Sequence, residues 1–554
     1  MVTASGLPSL IVQLLYNRGL TEPSQFELFI TGDERLSDDP FLLPDMHQAV
    51  ARVYQALLSG EQIAVYGDFD ADGISGTALL VQGLSILGGG AIPYIPHRLT
   101  EGYGLKTAAL ETLRQQGVSL VITVDCGITA LPEVKKAKRM GLDVVITDHH
   151  TPLPEIPPAL AVVDPKLPGS AYPFSELTGV GVAFKLLQAL FQSIGKEEQL
   201  EELMDLVALG TIADVAPLLG ENRYLVKRGL RLINTTPRLG IREMITQAGL
   251  ETGSIESETI SWVLAPRLNA AGRLAHAMTS YKLLMTDSPQ EAQGLTAWLE
   301  RKNAERQRLT ATVLAKAREQ VLARGISPLL VASDRDYPAG IAGLAANRLS
   351  EEFCRPSIVI RVGERMSSGS CRSIPEFNII NALTQCSSLL ANFGGHSQAA
   401  GFILPTKNLP RLQEALLELA TAQLEGIDLR PQIDIDAEVM LPELGGNTFQ
   451  IIKQLAPFGR GNPQPAFLSR GVQVVDCRTM GSNGEHLRMR VKQGNMVWDG
   501  VAFRLGVYLA EVLSRLDIVY NLEIDRWGGE KKLRLNILDF AETTLTSSGN
   551  HKNI

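Results

Sequence analysis

Residues 62–73, QIAVYGDFDADG, decide how the chain begins to fold. A short apolar run, Gln62 to Tyr66, enters a loop that alternates three carboxylates, Asp68, Asp70 and Asp72. The following SGTALLVQGLSIL has helical spacing, with Ser75 as its expected N-cap. The same unit then recurs. VSLVITVDCG (118–127) reads as a second strand ending at Asp125, and ALPEVKKAKRMG as a helix stopped by Gly141. DVVITDHH (143–150) reads as a third strand ending at Asp148, His149 and His150. Near-continuous Val/Ile runs joined by helices predict a parallel sheet covered on both faces. In such a sheet the carboxyl ends of the strands converge on one crevice, which is where ligands bind. Three separate acidic sites therefore point at one place, and Asp214, at the end of the helical run LGTIADVAP, is a fourth candidate.

The ligand types suggest the chemistry. Carboxylates this close repel one another unless a counter-charge is supplied. A set made mostly of Asp oxygens with one or two imidazoles suits Mn²⁺ or Mg²⁺ better than a thiolate-seeking metal. Enough carboxylates for two ions imply a two-metal site that clamps a phosphoryl group and activates water for in-line attack. The loop lacks the twelfth-position carboxylate of an EF-hand, and no P-loop motif occurs. Cys126, beside Asp125, reads as a small buried hydrophobe.

Outward from this core, the 554 residues suggest several domains. A Pro-rich linker, TPLPEIPPALAVVDPKLP, leads into a mostly helical stretch. Residues 289–325 have few breakers and predict one long connector helix. A second α/β unit starts at SPLLVASD and contains GERMSSGSCRS and NFGGHSQAAGF. From about 430 short strands and frequent turns predict a small antiparallel β-barrel. The expected divisions are a helical segment at 1–45, the first α/β domain with its helical extension at 46–288, the connector at 289–325, the second α/β domain at 326–428, the barrel at 429–543 and a disordered tail at 544–554. The N-terminus lacks a basic region before its short apolar stretch, and no apolar run reaches 18 residues, so neither a signal peptide nor a membrane span is expected. Five scattered Cys give no disulfide or zinc pattern and fit a reducing cytoplasm. The net charge of −8, from 52 basic and 60 acidic residues, argues against a generally basic nucleic-acid coat, yet leaves room for a local basic groove.

At these residues the chain resembles the DHH phosphoesterase superfamily, named for the triplet present here as Asp148-His149-His150. Within it the chain is similar to the RecJ family of bacterial single-strand-specific 5′→3′ DNA exonucleases. The likeness extends over RLTEGYGL (98–105), LAPRLNAAGRL (264–274), GSCRSIPEFNI (369–379), FGGHSQAAGF (393–402) and APFGRGNPQPAF (456–467). It implies a DHH domain, a DHH-associated α/β domain joined to it by a long helix, and an OB-fold. It also implies Asp70, Asp72, Asp125, His149 and Asp214 as ligands of two Mn²⁺ or Mg²⁺ ions, with Asp125 bridging them and Asp68 in a metal or supporting role. His150 would orient the scissile phosphate. Tyr66 stands where other superfamily members carry a His.

The resemblance further implies a pocket for the terminal 5′-phosphate formed by Arg98, Ser370 and Arg372, with His396 on the phosphodiester. Tyr103 would stack on a base, and Arg267, Asn269 and Arg273 would face the cleft. The implied activity is release of 5′-mononucleotides from single-stranded DNA in recombination and repair, by a monomer cooperating with single-strand-binding protein and a RecQ-type helicase. Arg488, Arg490, Lys492, Trp498, Phe503 and Trp527 are candidates for strand contact in the OB-fold. Two other readings compete. A small-substrate phosphoesterase would not need the third domain, and a non-catalytic scaffold would not keep the full acidic set.

Overall fold

The computed structural model of the chain describes residues 5–525 and 532–543. It divides into two compact units: Asp38–Ala216 with Leu225–Gln432, and Met1–Ser37 with Pro217–Tyr224 and Ile433–Ile554.

The larger unit holds both α/β lobes. In the first lobe β1 (Gln62–Gly67), β2 (Ala91–Tyr94), β3 (Val118–Val124), β4 (Asp143–Thr147) and β5 (Ala161–Val163) form one sheet in the order β2-β1-β3-β4-β5. Every pairing is parallel. β1 and β3 are buried over most of their length, as strands covered on both faces must be. Helices α1 (Ala71–Ile86) and α2 (Gly179–Gln192) pack together beside the sheet.

A π-helical turn, Ile260–Leu264, leads into α3 (Ala265–Leu274). The 36-residue helix α4 (Pro289–Arg324) follows, capped by the Ser288 side chain at its start and ended at Gly325. It buries only a narrow stripe, including Leu299, Val313, Ala317 and Val321, against α3 and the second lobe. That lobe is a mixed sheet of β6 (Leu330–Asp334), β7 (Ser357–Arg361), β8 (Met366–Arg372), β9 (Asn392–His396) and β10 (Ala399–Pro405), ordered β6-β7-β8-β10-β9. Helix α5 (Ala339–Phe353) packs on β7 and β8.

The smaller unit is a closed barrel. Strands β12 (Phe467–Met480), β13 (His486–Gln493), β14 (Met496–Ala502), β15 (Arg515–Asp525) and β16 (Lys532–Glu542) run β12-β13-β14-β16-β15, and β12 pairs with β15 to close the ring; the short β11 (Ala437–Glu438) adds to β12. Alternation along β13 turns Leu487, Met489 and Val491 inward and leaves Arg488, Arg490 and Lys492 outside. Trp498 is buried, Phe503 is exposed, and Trp527 and the tail 544–554 lie outside the described residues.

The N-terminal helices are part of this barrel unit. Ile11, Leu14, Leu15, Phe26 and Phe29 share one core with Leu441, Phe467, Met489, Ile518 and Tyr520. Arg18 donates to Asn462 and to the Pro463 carbonyl and pairs with Asp436 at 3.2 Å. The fully buried Arg223 donates to the Phe29 and Ala456 carbonyls and lies 3.8 Å over the Phe29 ring. Sequence reading treats 1–45 as a separate segment. Contacts between residues so far apart along the chain carry no local periodicity, so that union is invisible until the chain folds.

Candidate active site

Register places the acidic residues in one row. Gly67 of β1 pairs with Val124 of β3, Val124 with Thr147 of β4, and Thr147 with Val163 of β5. The next residue on each strand is an aspartate: Asp68, Asp125, Asp148 and Asp164. All four are buried. The crevice expected at the strand ends is therefore an acidic ledge four strands wide.

Local backbone demands sharpen the ledge. Asp70, and not Ser75, caps α1: its Oδ1 accepts from the Asp72 and Gly73 amides. A carboxylate outcompetes the expected serine because it meets both the orphan amides and the positive end of the helix. Asp72 accepts from the Gly179 and Val180 amides at 2.7 and 2.8 Å, so the start of α2 holds it. Asp125 sits at φ 60°, a left-handed conformation that Asp tolerates better than most residues. Gly179 permits its position, since a Cβ there would lie 2.4 Å from Asp125 Cβ and 2.8 Å from its Cα.

Three groups of side chains bring ligand atoms within 4.8 Å of one another: Asp68 with Asp70 and Asp125, Asp72 with His149 and Asp214, and Asp125 with His149 and His150. The sequence-derived metal set is thus gathered whole. Burial, reinforced by mutual repulsion, pushes the Asp68, Asp72 and Asp125 carboxyls well above the usual range. Asp68 Oδ1 is buried with no hydrogen-bond partner. Burial, and then the adjacent His150, lowers His149 to about 3, which favours its neutral imidazole; its Nε2 lies 3.0 Å from Asp125 Oδ1. An unpaired buried Asp68 oxygen, repelling carboxyls and a neutral imidazole make a donor set that a hard divalent cation satisfies.

Asp148 has a different task. Its Oδ1 accepts from the His149 and His150 amides and lies 2.7 Å from His150 Nδ1, while Oδ2 accepts from Ile128. Burial opposes charge on both partners. Even so, their bond and mutual attraction draw Asp148 down to about 2 and raise His150 to about 9. That bond orients the His150 ring and favours its protonated form. Tyr103 Oη lies 3.2 Å from His150 Nδ1 and donates to the Asp125 carbonyl at 3.1 Å. The second lobe reaches the same ring: His396, on β9, stacks on His150 at 5.7 Å and 12°.

Beside the ledge lies a cationic pocket. The Arg98 guanidinium lies 4.6 Å over the Phe69 ring. Arg273 touches the Gly340 carbonyl at the start of α5, and Arg372 Nη2 approaches Gly343 on the same helix, with Ser370 beside it. Burial, and then the charges of Arg98, Arg306 and Arg372, lower Arg273 to about 9. Among the described residues none of Arg98, Arg273, Arg306 and Arg372 is paired with a carboxylate, although together they repel. Such a cluster is stable when an anion shares it. Asn269 Oδ1 accepts from the Ala71 amide and so fixes the Asp70–Asp72 turn. Arg267 is committed elsewhere, forked onto Glu300 at 2.6 Å.

Sequence reasoning missed Asp164, Arg306 and the orienting role of Asp148. Asp164 follows a three-residue strand too short to announce itself, and Arg306 is one of many charges on a long helix.

Comparisons with known proteins agree with this geometry. Residues 62–211 match the DHH family N-terminal domain, 327–422 the DHHA1 domain and 435–539 the RecJ OB domain. The chain is 38% identical over 537 residues to the single-stranded-DNA-specific exonuclease RecJ of Bacillus subtilis, covering 96% of this chain and 68% of that protein. It is 39% identical over 455 residues to the protein of that name from Thermus thermophilus, covering 81% and 65%. The Dickeya dadantii protein is 33% identical and matched over 96% of both chains. A crystal structure of RecJ from Thermus thermophilus in complex with Mn²⁺ superposes with a TM-score of 0.85 at 32% identity, covering 99% of this chain and 78% of the other. The Mg²⁺ complex gives 0.79 at 30% identity, covering 98% and 76%. A parallel DHH sheet, a DHHA1 lobe and an OB barrel, matched along nearly the whole chain, place this protein in the RecJ family of DHH phosphoesterases.

Proposed function

We propose that the chain is a single-strand-specific 5′→3′ exodeoxyribonuclease that releases 5′-mononucleotides. The observation that carries this reading is the pairing of the acidic ledge with an arginine pocket that lacks carboxylates, both contacted by α3.

In this reading Asp70, Asp72, Asp125, His149 and Asp214 would hold two divalent ions, with Asp68 in support. Bound there, the ions would offset the carboxylate charge and act as Lewis acids toward a phosphoryl oxygen and an attacking water. The chain's own groups do the rest. His150, kept protonated by Asp148, donates to a phosphate oxygen and counters charge that grows during attack. His396 approaches from the second lobe. Arg98, Arg273 and Arg372, with Ser370, hold the terminal phosphate. Along α3, Arg273 lies one turn beyond Asn269, about 6 Å at 1.5 Å per residue. A terminal phosphate held there sits about one nucleotide from the ledge, which favours single-nucleotide steps from the 5′ end.

Support for DNA as substrate comes from the names of the relatives and from the OB domain, whose β13 presents Arg488, Arg490 and Lys492 outward. Action in recombination and repair, cooperation with single-strand-binding protein and a RecQ-type helicase, a monomeric state and a cytoplasmic location rest on family resemblance and belong to the same proposal. All five cysteines are free, and among the described residues no helix is long and apolar enough to cross a membrane. The test is digestion of 5′- and 3′-labelled single and double strands with Mn²⁺, Mg²⁺ or chelator. Release of 5′ label as mononucleotide from single strands alone, and only with metal, is expected. Release of 3′ label first, or equal attack on duplex, refutes it.

A further inference from the structure

Trp262 is 67% exposed, the most exposed aromatic side chain among the described residues with large exposed hydrophobics. Leaving an indole in water forfeits the burial that a residue of this size ordinarily gains. It sits in the π-helical turn Ile260–Leu264 that precedes α3. Such turns occur often at functional sites.

Its position follows from what α3 touches. Gly272 packs against Phe69, a Cβ there falling 2.5 Å from the Phe69 carbonyl oxygen. Asn269 holds the Ala71 amide. The helix therefore runs along residues 69–71, with its C-terminal end at the arginine pocket and its middle at the ledge. Leu264, Ala265, Leu268, Ala270, Ala271 and Gly272 are buried, whereas Trp262, Val263, Pro266, Arg267, Asn269, Arg273 and Leu274 keep some surface. Of these, Trp262, Pro266, Asn269 and Arg273 are spaced by four, three and four residues and share one helical stripe. Along it, Arg273 marks the terminal phosphate and Asn269 the scissile position. Trp262 lies on the far side of Asn269, about 10 Å away at 1.5 Å per residue. At the spacing of about 6 Å per nucleotide between Arg273 and Asn269, that is nearly two nucleotides.

We infer that Trp262 is a substrate-positioning residue, a stacking platform for a base on the 3′ side of the scissile phosphate, about two nucleotides downstream. This rests on the nuclease reading above. An aromatic face suits it because stacking accepts any base, as a non-specific exonuclease requires. It would hold the strand straight along α3 while the ledge acts on the terminal linkage.

The test compares binding of 5′-phosphorylated dT12 and dT2 by full-length wild type, Trp262→Ala and Trp262→Phe in chelator, by fluorescence anisotropy, with indole fluorescence of the wild type followed in parallel. Trp262→Ala should weaken dT12 binding about tenfold or more and leave dT2 unchanged, because dT2 is too short to reach. Trp262→Phe should keep most of the affinity, and dT12 should quench wild-type indole fluorescence more than dT2 does. Equal dT12 affinity in Trp262→Ala and wild type overturns the inference, as does equal weakening for both lengths, which marks a merely structural role. If the wild type itself neither binds dT12 nor degrades it with Mn²⁺, the nuclease reading fails and takes this one with it. Wild-type degradation of dT12 alongside an unaffected Trp262→Ala sinks the platform alone.

Discussion

Replacing Asp125 by Asn should stabilise the metal-free protein and abolish most of its response to metal. Ligand oxygens of Asp125, Asp68 and Asp70 lie within 4.8 Å of one another. At an effective dielectric of about 20, each pair made by Asp125 repels by about 3.5 kcal/mol, about 7 kcal/mol for the two. His150 Nδ1, 3.8 Å from Asp125 Oδ1, returns about 4.4 kcal/mol while the ring is protonated. The difference, about 2.5 kcal/mol, is the share from Asp68, Asp70 and His150 that a neutral amide relieves when these groups are ionised; Asp72 and Asp214 repel Asp125 as well. Asn has the same shape and accepts the left-handed backbone, so strain does not confound the comparison.

Burial and then the neighbouring carboxylates raise the folded-state pKa of Asp125 above its unfolded value. Its contribution to stability is thus fully present below about pH 3.9 and is lost as pH rises through the elevated folded value. In chelator, wild type should lose stability from this site between acid and neutral pH, and Asp125→Asn should not. Denaturant melts in chelator at pH 5 and pH 8, repeated with Mn²⁺, measure this. Wild type should gain about 2.7 kcal/mol at a metal concentration one hundred times its dissociation constant, and the variant far less. A variant less stable than wild type in chelator at pH 8, or one that gains equally from Mn²⁺, refutes the reasoning.

Four other outcomes follow from the same contacts. In chelator the His150 ring should titrate near pH 9, and in Asp148→Asn it should fall toward about 6.5, as read by NMR of the imidazole protons. Arg372→Ala should reduce the preference for 5′-phosphorylated over 5′-hydroxyl strands about tenfold or more, measured as a ratio of kcat/KM, since a charged hydrogen bond is worth about 1.5–3 kcal/mol. Gly179→Ala should push Asp125 aside, costing about 1–3 kcal/mol in a melt and weakening Mn²⁺ binding by calorimetry. Phe29→Ala should destabilise the barrel unit by about 3–5 kcal/mol, seen as earlier proteolysis of the C-terminal strands, despite lying far from them in sequence.

The chain by itself determined the first lobe and its ledge. Val/Ile runs of strand length ending in Asp68, Asp125 and Asp148 are local signals, and parallel pairing forces their ends together. The clustering of these acidic residues is legible for that reason. Ser75 is the wrong cap because propensity ranks serine and aspartate alike at that position, whereas the helix begins where the carboxylate stands. The arginine pocket becomes legible only through resemblance, since an isolated Arg has no periodic signature. Only the tertiary structure joins Arg98, Arg273 and Arg372 from three distant stretches, commits Arg267 to Glu300, adds Asp164 to the row and sets Ile11 and Phe29 in the barrel core. The physical reason is range. Strand and helix patterns are written in neighbours two to four residues apart, while charge clustering and core sharing depend on contacts that exist only after the chain has closed on itself.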